Sequence, residues 1–162
     1  MISSSSPIAG RGFTSRKFSI LLVGMLVLLT VQGWSGDTVN IFLPASAATT
    51  PLSSFFPGFF STLESAGPLA DFHMSVGILL SVLAIVVFAL SFVWSKSRGV
   101  RIASGLGLLM VISAAIGGFL FVVSGLSNGG NSAQMGGSFI GAYAFYFIAL
   151  YYSRNVMGVR PA

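Results

Sequence analysis

Cysteine is absent from this chain of 162 residues, and charged residues make up only 7% of it. Without cysteine, disulfides, thiolate metal sites and cysteine nucleophiles are all excluded. A soluble domain typically carries about 25% charged residues, so this chain has too few to keep a folded surface hydrated. Hydrophobic residues account for 54% of the sequence. We therefore expect an integral membrane protein with one membrane domain.

The few charged side chains are sorted by sign along the chain. The acidic residues Asp37, Glu64 and Asp71 share one stretch, and the basic residues form three clusters beside long apolar runs: Arg11, Arg16, Lys17, Lys96, Arg98, Arg101, Arg154 and Arg160. Lys and Arg are retained on the cytoplasmic side of a membrane. The order predicts a multi-pass protein of the cell (plasma) membrane with both termini cytoplasmic. The basic residues form no aromatic-interleaved face, so contact with the lipid bilayer is expected and nucleic acid is not.

Four apolar runs are long enough to cross the hydrocarbon, which takes roughly 20 residues per helix. We predict an all-α, integral membrane four-helix bundle over 18–154, flanked by cytoplasmic tails at 1–17 and 155–162. The glycine-rich segment 127–132 is predicted to be a turn on the outer side. The predicted spans are about 18–34, 72–95, 102–124 and 135–153.

A cleaved signal peptide is the alternative for the first span, because the small-residue sequence Ala45-Ser46-Ala47 follows it. That sequence lies well beyond the apolar core, further than a cleavage site usually does. An uncleaved first helix is therefore favoured.

The outer loop, 35–71, is the one long connection between predicted spans. Its aromatic residues Phe55, Phe56, Phe59 and Phe60 recur with the spacing of one helix face. This spacing predicts a short helix in the membrane interface. The alternative is an irregular loop packed over the mouth of the bundle, which Pro57 within the segment would favour.

Small residues recur at four-residue steps in the last two spans. Span four carries Gly137 and Gly141 in a GxxxG pattern, and span three carries Ala114 and Gly118. In lipid, helices associate through close contact of small residues. These stripes predict that spans three and four pack tightly as a hairpin.

Few residues of this sequence could act in catalysis, transport or ligand binding. No acidic residue, Lys or Arg lies in the middle of a predicted span, which argues against a pump or an ion-coupled transporter. We assign no catalytic residues and no metal site, and favour a non-enzymatic protein.

His73 is the only histidine, and it lies near the start of span two. Met135 opens span four at the same predicted depth. A His/Met pair is a known axial ligand set for haem, and haem sites in bundles are built from facing helices. His73 and Met135 are therefore candidate ligands of a b-type haem. The alternative is an interfacial histidine that is hydrogen-bonded to Asp71, to a backbone group or to a lipid headgroup.

Short motifs around these residues resemble one four-helix half of the heme A synthase family. The resemblance rests on the order and spacing of Val31–Gly36, Phe72–Gly77, Ala115–Gly118 and Ser124–Leu126. It implies a haem ligand at His73 and a long outer loop after the first helix. The family's fourth-helix histidine is missing, since Gln134, Met135 and Ser138 occupy that region. The resemblance therefore implies haem binding or a purely structural bundle, without hydroxylation of haem.

Three functions follow from these observations. The first is a non-catalytic accessory or scaffold subunit of a larger membrane complex, such as a respiratory complex, because the small-residue stripes and aromatic faces could meet other subunits. The second is a b-type haem-binding or haem-handling protein that uses His73. The third is a small-molecule or lipid carrier, which requires a pocket of several hundred Å³ between the spans.

Overall fold

The computed structural model of this chain describes residues 11–42, 64, 66–124 and 129–155. Within them the chain forms four long α-helices, which are α1 (Arg11–Phe42), α2 (Pro68–Trp94), α3 (Arg98–Val123) and α4 (Gly129–Asn155). Each contains a stretch that is long and apolar enough to cross a bilayer. The predicted all-α fold with four apolar helices is confirmed, and length and composition are those of a multi-pass membrane protein.

Glycine and proline define the beginning of α2. Gly67 has a φ angle of 74°, in the left-handed region that glycine adopts without steric cost. Pro68 follows in the first turn, where its missing N–H needs no partner. The backbone N–H groups of Ala70 and Asp71 donate to the Gly67 carbonyl at 3.1 and 3.3 Å. This junction fixes where α2 starts, and thereby the position of His73 one turn later.

A three-residue connection joins α2 to α3. Ser97 caps α3, because its hydroxyl accepts the Val100 N–H at 3.4 Å. The Arg101 Nη2 group donates to the Ser95 carbonyl at 2.9 Å, and its guanidinium lies 5.4 Å from the Phe92 ring centroid. These contacts hold the two helices close together at this end.

The four helices form a ring in which each packs against two neighbours: α1 and α3 both contact α2 and α4, and the α3–α4 pair is the most extensive. Ser19 and Ser153 link α1 to α4 through their hydroxyls at 3.1 Å, and the rings of Phe18 and Trp94 meet edge to face. These contacts bring six basic residues to one end of the bundle, here called the basic end: Arg16, Lys17, Lys96, Arg98, Arg101 and Arg154. The opposite end, with Asp37 and Asp71, is the acidic end.

The helices extend beyond the predicted spans. α1 continues to Phe42 rather than ending near 34, and α4 already begins at Gly129, inside the predicted turn. The backbone hydrogen bonds of a helix need no apolar side chains, so a helix can continue beyond the apolar run from which it was predicted. The Phe-rich segment 55–60 and its predicted interfacial helix lie outside the described residues.

A fully buried part of the core lies in the half of the bundle nearer the basic end. There, side chains from all four helices are fully buried against one another: Leu22, Met25, Val87, Val100 and Tyr146. On the outside of the bundle, large apolar residues such as Val93 and Ile140 are mostly exposed. Such an apolar exterior suits contact with lipid rather than water.

Candidate ligand-binding cleft

His73 lies on α2 near the acidic end, half-buried against α1. Its Nδ1 atom is 2.9 Å from the Ser35 hydroxyl, and its Nε2 atom is 3.1 Å from the Gln32 amide nitrogen. Ser35 is fully buried. The imidazole is therefore held at both ring nitrogens by two polar side chains of one neighbouring helix.

The network defines the direction of each hydrogen bond. The Ser35 hydroxyl donates to the Gln32 backbone carbonyl at 3.1 Å. Because a hydroxyl has one proton, Ser35 must accept from His73, so Nδ1 carries the hydrogen. The Nε2 lone pair of the neutral ring then accepts from the Gln32 amide. The Nε2 lone pair therefore faces the Gln32 side chain, which another partner could replace.

Two glycines make room for this pair of side chains. A Cβ atom on Gly36 would lie 2.8 Å from the Cε1 atom of His73, and one on Gly77 would lie 3.2 Å from the Gln32 amide nitrogen. Any larger residue at either position would displace the imidazole or the amide. The polar pair therefore depends on glycine at both neighbouring positions.

The His73–Gln32 pair forms part of the wall of a cleft of about 780 Å³ between the helices. The rest of the wall is mainly apolar, and all four helices contribute to it, for example with Leu29, Leu80, Phe119 and Phe139. Cavities that bind small molecules are typically about 300–1,000 Å³, mostly apolar, and carry few polar groups. The cleft has this size and this composition.

Exposed lining residues of α2 and α3 show where the cleft reaches the surface of the bundle. Near the basic end the two helices touch, since a Cβ on Gly105 would lie 3.1 Å from the Phe88 ring. Toward the acidic end, Ile78 and Val82 of α2 and Ala115 of α3 line the cleft instead of closing it, and all three side chains are exposed. The cleft therefore opens toward the surroundings of the bundle through the α2–α3 gap.

The predicted haem ligands reach the same cleft from different helices. His73 lines it from α2 and Met135 lines it from α4. The Met135 sulfur packs 3.3 Å from the Cβ position of Gly118 on α3. Asp71 is exposed, and its backbone carbonyl accepts the Ser75 hydroxyl at 2.7 Å. The partners of the imidazole are Gln32 and Ser35 rather than Asp71.

The small residues predicted for packing occupy different environments. A Cβ on Gly141 would lie 2.9 Å from the Met110 sulfur, whereas Gly137 is exposed and has nothing within 4 Å of its Cβ position. Ala114 lines the cleft. Gly117 faces the backbone of α4 directly, since its Cβ position would lie 3.2 Å from backbone atoms of Asn131 and Met135. Contact between α3 and α4 thus involves residues beside the predicted stripes as well as on them.

Sequence reasoning did not identify Gln32 and Ser35 as site residues, although both lie in one of the motifs that carry the family resemblance. The available signal was a glutamine in an otherwise apolar run, because an amide inside a membrane helix needs a hydrogen-bonding partner.

No protein-family model matches this chain, and the searches of curated proteins and of solved structures gave no significant match. Within the described ranges, no group of three or more His, Asp or Glu residues is arranged to hold a metal ion.

Proposed function

We propose that this chain is a membrane-embedded binding or carrier protein for an apolar small molecule that bears one hydrogen-bonding group. The observation that supports this function is the cleft of about 780 Å³ with the His73–Gln32 pair in its wall. Its apolar surface accommodates the body of such a molecule, and the polar pair orients it.

The Gln32 amide supplies the chemistry of recognition. Its nitrogen bonds His73, while its buried oxygen Oε1 has no hydrogen-bond partner among the described residues. An unpartnered polar atom in apolar surroundings costs about 1–3 kcal/mol. Oε1 is not accessible from the cleft, so a ligand hydroxyl or amine would remove this cost only by turning the Gln32 amide toward the cleft. The cleft therefore favours an apolar ligand with a donor group over a plain hydrocarbon.

The α2–α3 opening defines the route of entry. The residues at this opening, Ile78, Val82 and Ala115, are apolar and exposed. A lipid-soluble molecule can then pass from the bilayer into the cleft without crossing water, which suits a carrier of apolar molecules.

Blocking the opening tests the proposal. Ala115→Trp places an indole in the cleft, whereas Ile116→Trp places it on the adjacent exposed position outside the cleft lining. We expect the first variant to lose binding of the apolar fluorophore Nile red at least tenfold and the second to retain it. Mass spectrometry of organic extracts of the purified protein would identify a co-purifying ligand. Equal binding by both variants, with no extracted ligand, would contradict the proposal.

A b-type haem is the second candidate, because His73 and Met135 line one cleft. The Nδ1–H bond to Ser35 is the arrangement that commonly orients a metal-ligating histidine. Nε2 would exchange its bond with Gln32 for iron, and Met135 is available as a second ligand. A bound haem would supply one-electron redox chemistry. These residues therefore fit the group through His73, with Ser35 as the orienting residue.

An absorption spectrum separates the two candidates. Membranes that contain haem-loaded protein should show a dithionite-reduced Soret band that is lost in His73→Ala and altered in Met135→Leu. Colourless protein from haem-replete cells would exclude the haem candidate and leave the apolar ligand.

The orientation in the plasma membrane, with both termini cytoplasmic, is also a proposal, supported by the six basic residues at one end of the bundle. Because the chain has no cysteine, single-cysteine variants of Arg98 and Glu64 can be labelled without background. Only Glu64→Cys should react with an impermeant thiol reagent applied to intact cells.

A role of this chain as an accessory or scaffold subunit of a larger complex is also a proposal, and it is supported by the sequence. Co-purification of a stoichiometric membrane partner at native expression levels would support this role. A monomer that purifies alone would count against it.

A further inference from the structure

A second groove lies at the basic end, between the beginning of α1 and the end of α4. It has a volume of about 310 Å³ and is lined by Arg16, Ser19, Ile20, Val23 and Arg154. The bond between Ser19 and Ser153 at 3.1 Å holds the two helices together here. The groove thus combines two cations from different helices with an apolar wall.

Both guanidinium groups are available to a ligand. Arg16 and Arg154 are exposed, and neither makes an ion pair or hydrogen bond within the part of the chain that the structure describes. The planar guanidinium presents five donors in a geometry that matches phosphate oxygens. Two such groups line the same groove, each from a different helix.

An apolar strip continues from the groove along α1. Ile20, Val23 and Val27 are exposed, and Gly24 between them has nothing within 4 Å of its Cβ position. Their spacing places all four on one side of the helix. The strip can accommodate an acyl chain parallel to the helix axis, directly below the two arginines.

We propose that this groove binds an anionic phospholipid, with the phosphate between Arg16 and Arg154 and one acyl chain along the α1 strip. Charge complementarity and the adjoining apolar strip favour a lipid over a soluble anion, since basic pockets between membrane helices bind anionic headgroups. The site is separate from the His73 cleft, which is formed toward the acidic end, so it does not depend on the proposed function.

Native mass spectrometry of the full-length protein in detergent tests the proposal. Added dioleoyl phosphatidylglycerol should bind with an apparent Kd about tenfold lower than dioleoyl phosphatidylcholine. The double variant R16Q/R154Q should lose this preference. The matched double variant K96Q/R98Q, which removes the same charge at the same end but outside the groove, should retain it. Circular dichroism would verify that both variants are folded.

Two further arms separate the lipid from other sources of the anion. Dihexanoyl phosphatidylglycerol should bind more weakly than the long-chain lipid if the apolar strip contributes. Inorganic phosphate at about 10-fold excess over the lipid should leave lipid binding unchanged. This excess would displace the lipid if phosphate bound the site with a Kd within about tenfold of the lipid's. Equal losses in the two double variants, no preference in the wild type, or displacement by inorganic phosphate would each overturn the proposal.

Discussion

Toward the basic end, side chains from all four helices interlock, and Tyr146 and Met25 are completely buried among them. Toward the acidic end, the same four helices enclose a cleft of about 780 Å³, and the candidate ligand-binding residue His73 is only half-buried. Both halves are built from apolar helices with glycine at the contacts. The halves differ in what faces each glycine.

In the packed half, Gly107 faces the aromatic ring of Tyr146, with a Cβ position 2.8 Å from its Cζ atom. In the cleft half, Gly36 faces the imidazole of His73 at the same distance. Tyr146 is enclosed on all sides, whereas His73 borders open space. The same residue type thus serves helix packing in one half and the placement of a polar side chain in the other.

The largest effect is expected where glycine faces a helix backbone. Gly117→Leu places a side chain against the backbone of α4 at Asn131 and Met135. We expect a loss of about 3 kcal/mol, the upper range for overpacking, because backbone atoms cannot rotate away. Unfolding by SDS titration measures the change.

Gly137→Leu is the matched control, because Gly137 is exposed and has nothing within 4 Å of its Cβ position. Its stability should stay within about 0.5 kcal/mol of the wild type. If both variants lose the same stability, the α3–α4 contact does not depend on the approach at Gly117.

The number of helices was predictable because the length of each apolar run and the order of the charged residues between the runs both reflect the requirements of a bilayer. The hairpin of the last two spans was predictable for a similar reason, since small residues recur there. The contact that Gly117 makes beside Gly118 was not predictable. Adjacent residues of a helix point in different directions, so the rotation of the helix about its axis decides which of them faces α4. A single sequence of nearly uniform apolar character does not define that rotation.

The candidate site was predictable only in part. His73 and Met135 were placed at the same depth by topology, and the structure brings both to one cleft. The partners Gln32 and Ser35 depend on which face of α1 meets α2, which is again a rotation. The predicted packing residue Ala114 lines the cleft for the same reason.

The second prediction compares Gly107→Ala with Gly36→Ala. The added methyl group at 107 meets a ring that cannot move, so we expect about 2 kcal/mol lower stability than in Gly24→Ala, whose Cβ lies in open space. At 36 the imidazole can shift into the cleft, so stability should change by less than about 1 kcal/mol, whereas Nile red binding should fall. Thermal unfolding and fluorescence titration measure the two properties. Loss of stability in both variants would show that the cleft half is as rigid as the packed half.

The third prediction concerns an unpartnered polar atom in each half. The Tyr146 hydroxyl and Gln32 Oε1 are both buried and have no partner among the described residues. Tyr146→Phe should raise the free energy of unfolding by about 1 kcal/mol, whereas Gln32→Leu should not, because it also leaves Nε2 of His73 without its donor. Only Gln32→Leu should weaken ligand binding, because only Gln32 lines the cleft. Weaker binding in Tyr146→Phe would contradict the separation of the two halves.

The smallest effect is expected for the serine pairs that link helices in each half. The Ser138 hydroxyl donates to that of Ser113 at 2.9 Å between α4 and α3, and Ser19 meets Ser153 at 3.1 Å between α1 and α4. Hydrogen bonds between membrane helices average about 0.6 kcal/mol, since the unfolded chain in the membrane also finds partners. Double-mutant cycles with alanine should give coupling energies near this value for both pairs. A coupling several times larger for Ser113–Ser138 would mean that polar contacts, rather than the close approach at Gly117, hold α3 against α4 beside the cleft.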